Sequence, residues 1–266
     1  METTPRLQAR NRDTHRARHR DCWYRSRFGI CHFAAVAYST EEADLYPGNR
    51  LKQDGYYFPK EIKKCDDSGG EEATRLHAKW SERRTHFFHS LATHIVERCI
   101  ENSVGRINIG KLAGVREDNN GNGNSKNWGK HGNLDLHGWA FDRFSNILEY
   151  KAKVEGIEVV EVSEHDTSNT CCVCGRKDES QRVERGLYVC EEHDDGDDDG
   201  DGDAFNADVN GAENIRLDIN HTESNSESAP DLGGDRSTGW LAQPGVYLHD
   251  LSRGFQPRTE VVDYKP

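Results

Sequence analysis

The sequence predicts a mixed α/β domain with a small ribbon set in near its C-terminal end. Three observations lead there. Residues 28–38 form an apolar run of the kind needed by a strand buried on both faces. Beyond it, strand, long helix, strand, helix and strand follow in order, the pattern of a mixed sheet covered by helices. Four cysteines then crowd into residues 171–190, flanking a short strand-like stretch.

Residues 1–27 come first and stand apart. They carry Arg6, Arg10, Arg12, Arg16, Arg18, Arg20, Arg25 and Arg27 with almost no apolar periodicity, so they are expected to be disordered alone. They read either as a basic arm for nucleic acid or as a leader left by a frameshift or a new start. After the apolar run, residues 43–58 read as further short strands with a glycine turn. Residues 71–102 are helical: Leu76, Trp80, Phe87, Leu91, Ile95 and Cys99 recur at three- to four-residue steps, apart from one gap. Residues 104–109 alternate as a strand, and 119–132, rich in Gly, Asn and Lys, read as a loop. A second helix spans about 136–154, with Ala140, Phe141, Phe144, Ile147 and Leu148 on its buried side. Gly156 ends it and 157–162 is the next strand. Residues 205–217 suit a last helix. Beyond about 221, Ser, Asn, Asp and Gly dominate and a loose tail is expected.

Composition narrows the function classes. The chain has 266 residues, a hydrophobic fraction of 33% and a net charge of −12. Its mean hydropathy is −0.94. No stretch has the 18 or so apolar residues of a membrane span, and the arginine-rich N-terminus is no signal peptide, so no membrane partner and a cytoplasmic location are expected. Acid is opposite in sign to the usual nucleic-acid binder. It is concentrated locally, however, from Glu191 to Asp203. Acidic surfaces also suit proteins working in high salt, which points to a halophilic source.

The sharpest chemical signal is Cys171-Cys172-Val173-Cys174-Gly175 followed by Cys190-Glu191-Glu192-His193. Zinc takes four tetrahedral nitrogen or sulfur ligands, and a Cys-x-x-Cys turn supplies two because its backbone curls around the ion. Cys190 and His193 repeat the spacing. The expected ligands are Cys171, Cys174, Cys190 and His193, with structural Zn2+. Cys172 is the competitor of Cys171, which is preferred because it alone gives the two-residue gap to Cys174. The run Asp195-x-Asp197-x-Asp199-Gly200 mimics the start of an EF-hand, but position 12 would be Asn206 rather than a bidentate Glu, so it reads as a solvated acidic insertion.

The segments Thr167–Gly175, Arg185–Cys190 and Asn206-Ala-Asp-Val-Asn-Gly-Ala-Glu-Asn-Ile215, with the helix through Trp139, Phe144 and Leu148, together resemble the C-terminal block of the TnpB family, also called OrfB. The resemblance covers roughly residues 29–217. It implies a RuvC/RNase H-like mixed sheet with helices and an inserted zinc ribbon. Family members are RNA-guided DNA endonucleases of insertion sequences, so DNA and guide RNA are the implied partners. The organisation implied is a leader at 1–27, a RuvC-like domain at 28–165, a ribbon with acidic insertion at 166–204, a last RuvC-like helix at 205–220 and a tail at 221–266. Full-length members carry a large N-terminal half, so a truncated C-terminal portion is expected.

The family's centre holds two Mg2+ ions with three carboxylates. The third falls on Asp208. The first, in an Asp-x-Gly whose glycine is Gly29, falls on Arg27, and the second, before Leu112, falls on Gly110. A guanidinium repels a metal ion. Glu117 and Asp118 lie a few residues on, and Glu117 is the candidate substitute. Three functional readings follow: a magnesium-dependent nuclease, an inactive zinc-ribbon remnant that still binds nucleic acid, and a decayed gene product. One acid in three points to impaired catalysis.

Overall fold

The computed structural model describes residues 17–22, 32–65, 69–111, 138–184, 186–190, 203–217 and 238–258. The strands β1 (Ala17–Cys22), β2 (His32–Tyr38) and β3 (Glu42–Pro47) lead into helices α1 (Asn49–Ile62) and α2 (Glu71–Glu101). Strand β4 (Val104–Lys111), helix α3 (Gly138–Val154) and strand β5 (Glu158–Ser163) follow. The hairpin partners β6 (Leu187–Cys190) and β7 (Asp203–Asn206) run into helix α4 (Ala207–Leu217). A short helix α5 (Gly239–Ala242) and strands β8 (Gly245–Asp250) and β9 (Gly254–Pro257) close the described chain.

Seven strands form one sheet in the order β5-β4-β1-β2-β3-β8-β9. Strand β2 runs antiparallel to β1 and β3, while β1, β4 and β5 are mutually parallel. The central order 5-4-1-2-3 with an antiparallel second strand is a RuvC/RNase H-like mixed sheet.

Pleating sends alternate residues to opposite faces. Val36, Tyr38, Ile107 and Ile109 meet Phe87, Phe88, Leu91 and Ile95 of α2 and Phe144 and Leu148 of α3 in one core. Phe33 stacks with Phe88 and meets Phe87 and Phe144 edge-on, so aromatic packing joins both helices to β2. On the other face Ala35, Ala37 and Ala43 meet Ala207, Val209, Ala212 and Ile215 of α4 and the cysteine knuckle. The small alanines on β2 and β3 let α4 approach the sheet closely.

Four expectations are corrected. The leader expected at 1–27 contains β1, which sits between β2 and β4. The apolar run, expected as a central strand beside residues 104–109, is separated from them by β1. Strand β1, Ala-Arg-His-Arg-Asp-Cys, has no apolar period, and its place is set by backbone hydrogen bonds on both sides. Residues 49–58, expected as strand, lie in the helix Asn49–Ile62. Leu51 and Phe58, seven residues apart, share one face, and Phe58 stacks on Trp80 of α2. Finally, the tail expected at 221–266 is folded over 238–258. Strand β8 pairs with β3, and Phe255 packs against Phe87 and Tyr46.

Candidate functional site

Two features lie on the α4 face of the sheet. The first is the cysteine knuckle. Gly175 takes φ +75°, a left-handed conformation suited to glycine, and its N–H donates to the Cys171 carbonyl at 2.9 Å. That turn brings Cys171 and Cys174 together, and β6 delivers Cys190. The three sulfurs lie within 4.8 Å of one another, and Cys174 Sγ is 3.6 Å from Cys190 Sγ. Tetrahedral zinc with sulfurs at about 2.3 Å would hold them about 3.8 Å apart, so the trio fits a zinc ion. Burial pushes the Cys171 thiol up, while the N–H groups of Val173 and Cys174 pull the other way by favouring the thiolate. Cys172 does not join the trio. Its backbone N–H donates to Asn210 Oδ1 at 2.9 Å. His193 lies outside the described residues.

The second feature is Asp208. Asn206 caps α4, its Oδ1 accepting from the N–H groups of Asp208 and Val209 at 3.0 and 3.3 Å. This places Asp208 in the first turn, where the helix dipole favours an anion. The residue is 1% exposed. His32, at the start of β2, contacts its Oδ2 at 2.6 Å through Nδ1. Asp208 Oδ1 is buried and has no hydrogen-bond partner among the described residues. A buried carboxylate oxygen without a partner calls for a ligand such as a cation or a water.

Arg27 and Glu117 lie outside the described residues. Gly110, near the end of β4, faces α4, and a Cβ there would lie 2.8 Å from Ile215 Cδ1 and 2.9 Å from Glu164 Oε2. Asp21 is the one acid of β1, but the register sets it level with Val36 and Ile109, both of which enter the α2–α3 core. The β1 positions level with α4-facing residues are Arg20, beside Ala37 and Asn108, and Cys22, beside Ala35.

The two features are tied together by α4 itself. Asn210 Nδ2 donates to the Thr170 carbonyl at 2.8 Å, and Asn214 Nδ2 to the Thr167 and Thr170 carbonyls at 2.8 and 2.6 Å. Both asparagines are fully buried. One turn apart, they staple the first knuckle to the helix that carries Asp208. Buried Glu213 and partly buried Arg216 form an ion pair on the same helix at 2.5 Å. The asparagines and His32 were not legible as site residues, although the Asn-x-x-x-Asn spacing in a helix was a usable signal.

Of the cations on α2, Arg83 is committed to Asp54 at 2.7 Å, bracing α1 on α2. The seam between α2 and α3 holds others. Arg143 Nη2 donates to Thr85 Oγ1 at 2.7 Å and Lys151 Nζ to Thr93 Oγ1 at 2.8 Å. His89 beside them has its pKa lowered by burial, then by Lys151 and Arg143. Burial and the Arg143 charge likewise lower Arg84. The seam is thus a strip of crowded positive charge.

Residues 28–116 match a family model described as a probable transposase, OrfB of the IS605 type. Residues 141–215 match the TNB domain of Cas12f1-like proteins. A TnpB-like protein of Acidianus two-tailed virus is 27% identical over 202 residues, which are 70% of this chain and 39% of that one. A TnpB-like protein of Methanocaldococcus jannaschii is 26% identical over 142 residues, 52% of this chain and 49% of that one. A cryo-EM structure of a Cas12f1–sgRNA–target DNA complex superposes with a TM-score of 0.53 at 21% identity, covering 75% of this chain and 49% of that one. Fold and motifs define a RuvC-like domain with a cysteine knuckle. In these two segments, 28–116 and 141–215, the chain is similar to proteins of the TnpB (OrfB) family. It spans less than half the length of these relatives. Among the described residues no helix is long and apolar enough to cross a membrane.

Proposed function

We propose that this chain is the RuvC-like part of a TnpB-type RNA-guided DNA endonuclease, that it engages nucleic acid, and that its own cutting is severely impaired. The observation that carries this reading is Asp208: a buried acid on the first turn of α4, held by His32 through one oxygen and orphaned at the other. Divalent metal would polarise a phosphodiester and supply hydroxide there. This chain's own contribution is to bury Asp208 and to fix its carboxylate through His32. Two-metal cleavage needs more carboxylates than Asp208, and Gly110 offers no side chain. Structural zinc on Cys171, Cys174 and Cys190 fits the sulfur geometry, and His193, three residues beyond Cys190, is the proposed fourth ligand.

Nucleic-acid phosphates are proposed to lie along the α2–α3 seam, where Arg84, Arg143 and Lys151 crowd positive charge on an otherwise acidic chain. The test is the zinc-loaded chain with RNA from its own locus and matching DNA, in magnesium or manganese. Anisotropy should show binding that weakens steeply with salt, and gels should show no cutting. Absence of binding at low salt refutes the reading. Cutting that disappears in Asp208→Ala shows an intact centre and refutes the impairment.

A further inference from the structure

Helix α1 turns one side to α2 and leaves the other uncovered. Phe58 is buried and stacks on Trp80 of α2, and Asp54 is buried against Arg83. At about 100° per residue, the side of the helix opposite Phe58 carries Lys52, Tyr56, Tyr57 and Lys60, and the turn beyond Ile62 adds Lys63. All of them are exposed. The two rings stand open to solvent, Tyr56 at 74% and Tyr57 at 53% exposure. Lys60 Nζ lies 5.7 Å from the centre of the Tyr56 ring, so cation and ring already share one surface. No acid of α1 lies on that side: Asp54 is on the buried one, and Glu61 is held by Lys64 at 2.7 Å.

From this we infer that the outer face of α1 is a docking surface for a single nucleic-acid strand, with Lys52, Lys60 and Lys63 on its phosphates and Tyr56 and Tyr57 as platforms for its bases. The inference rests on the reading that this chain engages nucleic acid, and it adds a surface to the α2–α3 seam. Charge complementarity names the partner as a polyanion: these lysines stand free of acids on a chain whose net charge is −12. The rings narrow it further. A single strand offers base faces for stacking, whereas the bases of a duplex are stacked on one another. Lys52 and Lys63 are about 16 Å apart along the helix, which matches about five nucleotides of a stacked strand. A membrane surface does not fit, because the apolar side of α1 is occupied by α2.

The experiment uses the zinc-loaded full chain and a fluorescent oligothymidylate of about 12 nucleotides, a usual single-strand site size. A duplex of the same length is the comparison, and anisotropy is read across a salt series. The wild type should bind the single strand more tightly than the duplex. Tyr56→Ala with Tyr57→Ala should weaken single-strand binding at least about 5-fold. Tyr56→Phe with Tyr57→Phe keeps both rings and should bind like the wild type. Lys52→Gln, Lys60→Gln and Lys63→Gln together should flatten the slope of log affinity against log salt by about 2, at about 0.7 for each phosphate. The positions are exposed, so thermal unfolding and zinc content should not change in any of these variants.

Single-strand binding that none of these variants alters overturns the α1 surface and leaves the nucleic-acid reading standing. A duplex bound as tightly as the single strand, with no effect of the alanine pair, does the same. A peptide of residues 191–203 that displaces the oligonucleotide at lower concentration makes the chain's own acidic run the occupant and overturns the inference. No wild-type binding to either probe at low salt overturns both readings.

Discussion

Asn210 is where the knuckle and the Asp208 helix depend on each other most directly. Asn210→Leu keeps approximate volume and removes both hydrogen bonds, to the Cys172 N–H at 2.9 Å and to the Thr170 carbonyl at 2.8 Å. The Thr170 carbonyl keeps Asn214 Nδ2 as a donor at 2.6 Å, so its loss is small. The Cys172 N–H is left buried, at a cost of about 1–3 kcal/mol for the orphaned donor. Adding the second bond, about 1 kcal/mol net, the variant should lose about 2–4 kcal/mol. Cys172 lies between two zinc-ligand candidates, so its N–H also sets the turn that presents them. Zinc affinity should fall 10- to 100-fold, as for other partners one shell beyond a metal. Urea denaturation of zinc-loaded protein, with a chromophoric chelator competing for zinc, reads both numbers. A stability change below about 0.5 kcal/mol, the range of ordinary surface substitutions, would refute the staple. Unchanged zinc affinity alongside a full stability loss would show that Asn210 packs the helix without shaping the knuckle.

Purified chain should carry one zinc by elemental analysis, and Cys174→Ser with Cys190→Ser should abolish it; zinc that persists in this double variant rules the knuckle out. Arg98→Ala should cost about 3–5 kcal/mol in chemical denaturation, because Arg98 is the cation facing Asp44, which is 2% exposed and accepts from Arg98 Nε at 2.9 Å; a loss under 1 kcal/mol would show the pair to be idle. Burial, then the charges of His86 and Arg50, lower His249 to about 4. Because its folded pKa lies below the unfolded value near 6.5, the unfolded chain takes up the proton first. The stability difference between wild type and His249→Phe should therefore be flat above pH 6.5 and shift against the wild type between pH 6.5 and 4. A difference that stays constant across that window would mean the imidazole is not held neutral between Phe87 and Phe255.

Much of the architecture was legible because burial writes a period into the chain. Helix α2 declared itself through Phe87, Leu91, Ile95 and Cys99, all fully buried, and β2 through a run with residues packed on both faces. The knuckle was legible because metal-ligand spacing is local: Cys171, Cys174 and Gly175 act within one turn. Strand β1 was not, since Ala-Arg-His-Arg-Asp-Cys carries no apolar period and its place follows from backbone pairing with β2 and β4. The β8–β9 hairpin was not either, because a few apolar residues such as Val246, Tyr247 and Phe255 anchor it in otherwise polar surroundings.

The sequence by itself determined which acids and thiols this chain owns: Asp208 in its helix motif, glycine at 110, and three cysteines at ribbon spacing. Those are covalent facts, and local turn chemistry is enough to read them. Only the tertiary structure decided what stands beside each. It set Asp21 level with residues of the α2–α3 core, brought His32 to Asp208 across 176 positions of chain, and filled the space above Gly110 with Glu164. The reason is physical: the register between strands and the approach of α4 are set by packing and backbone pairing over the whole sheet, and no short stretch of sequence contains them.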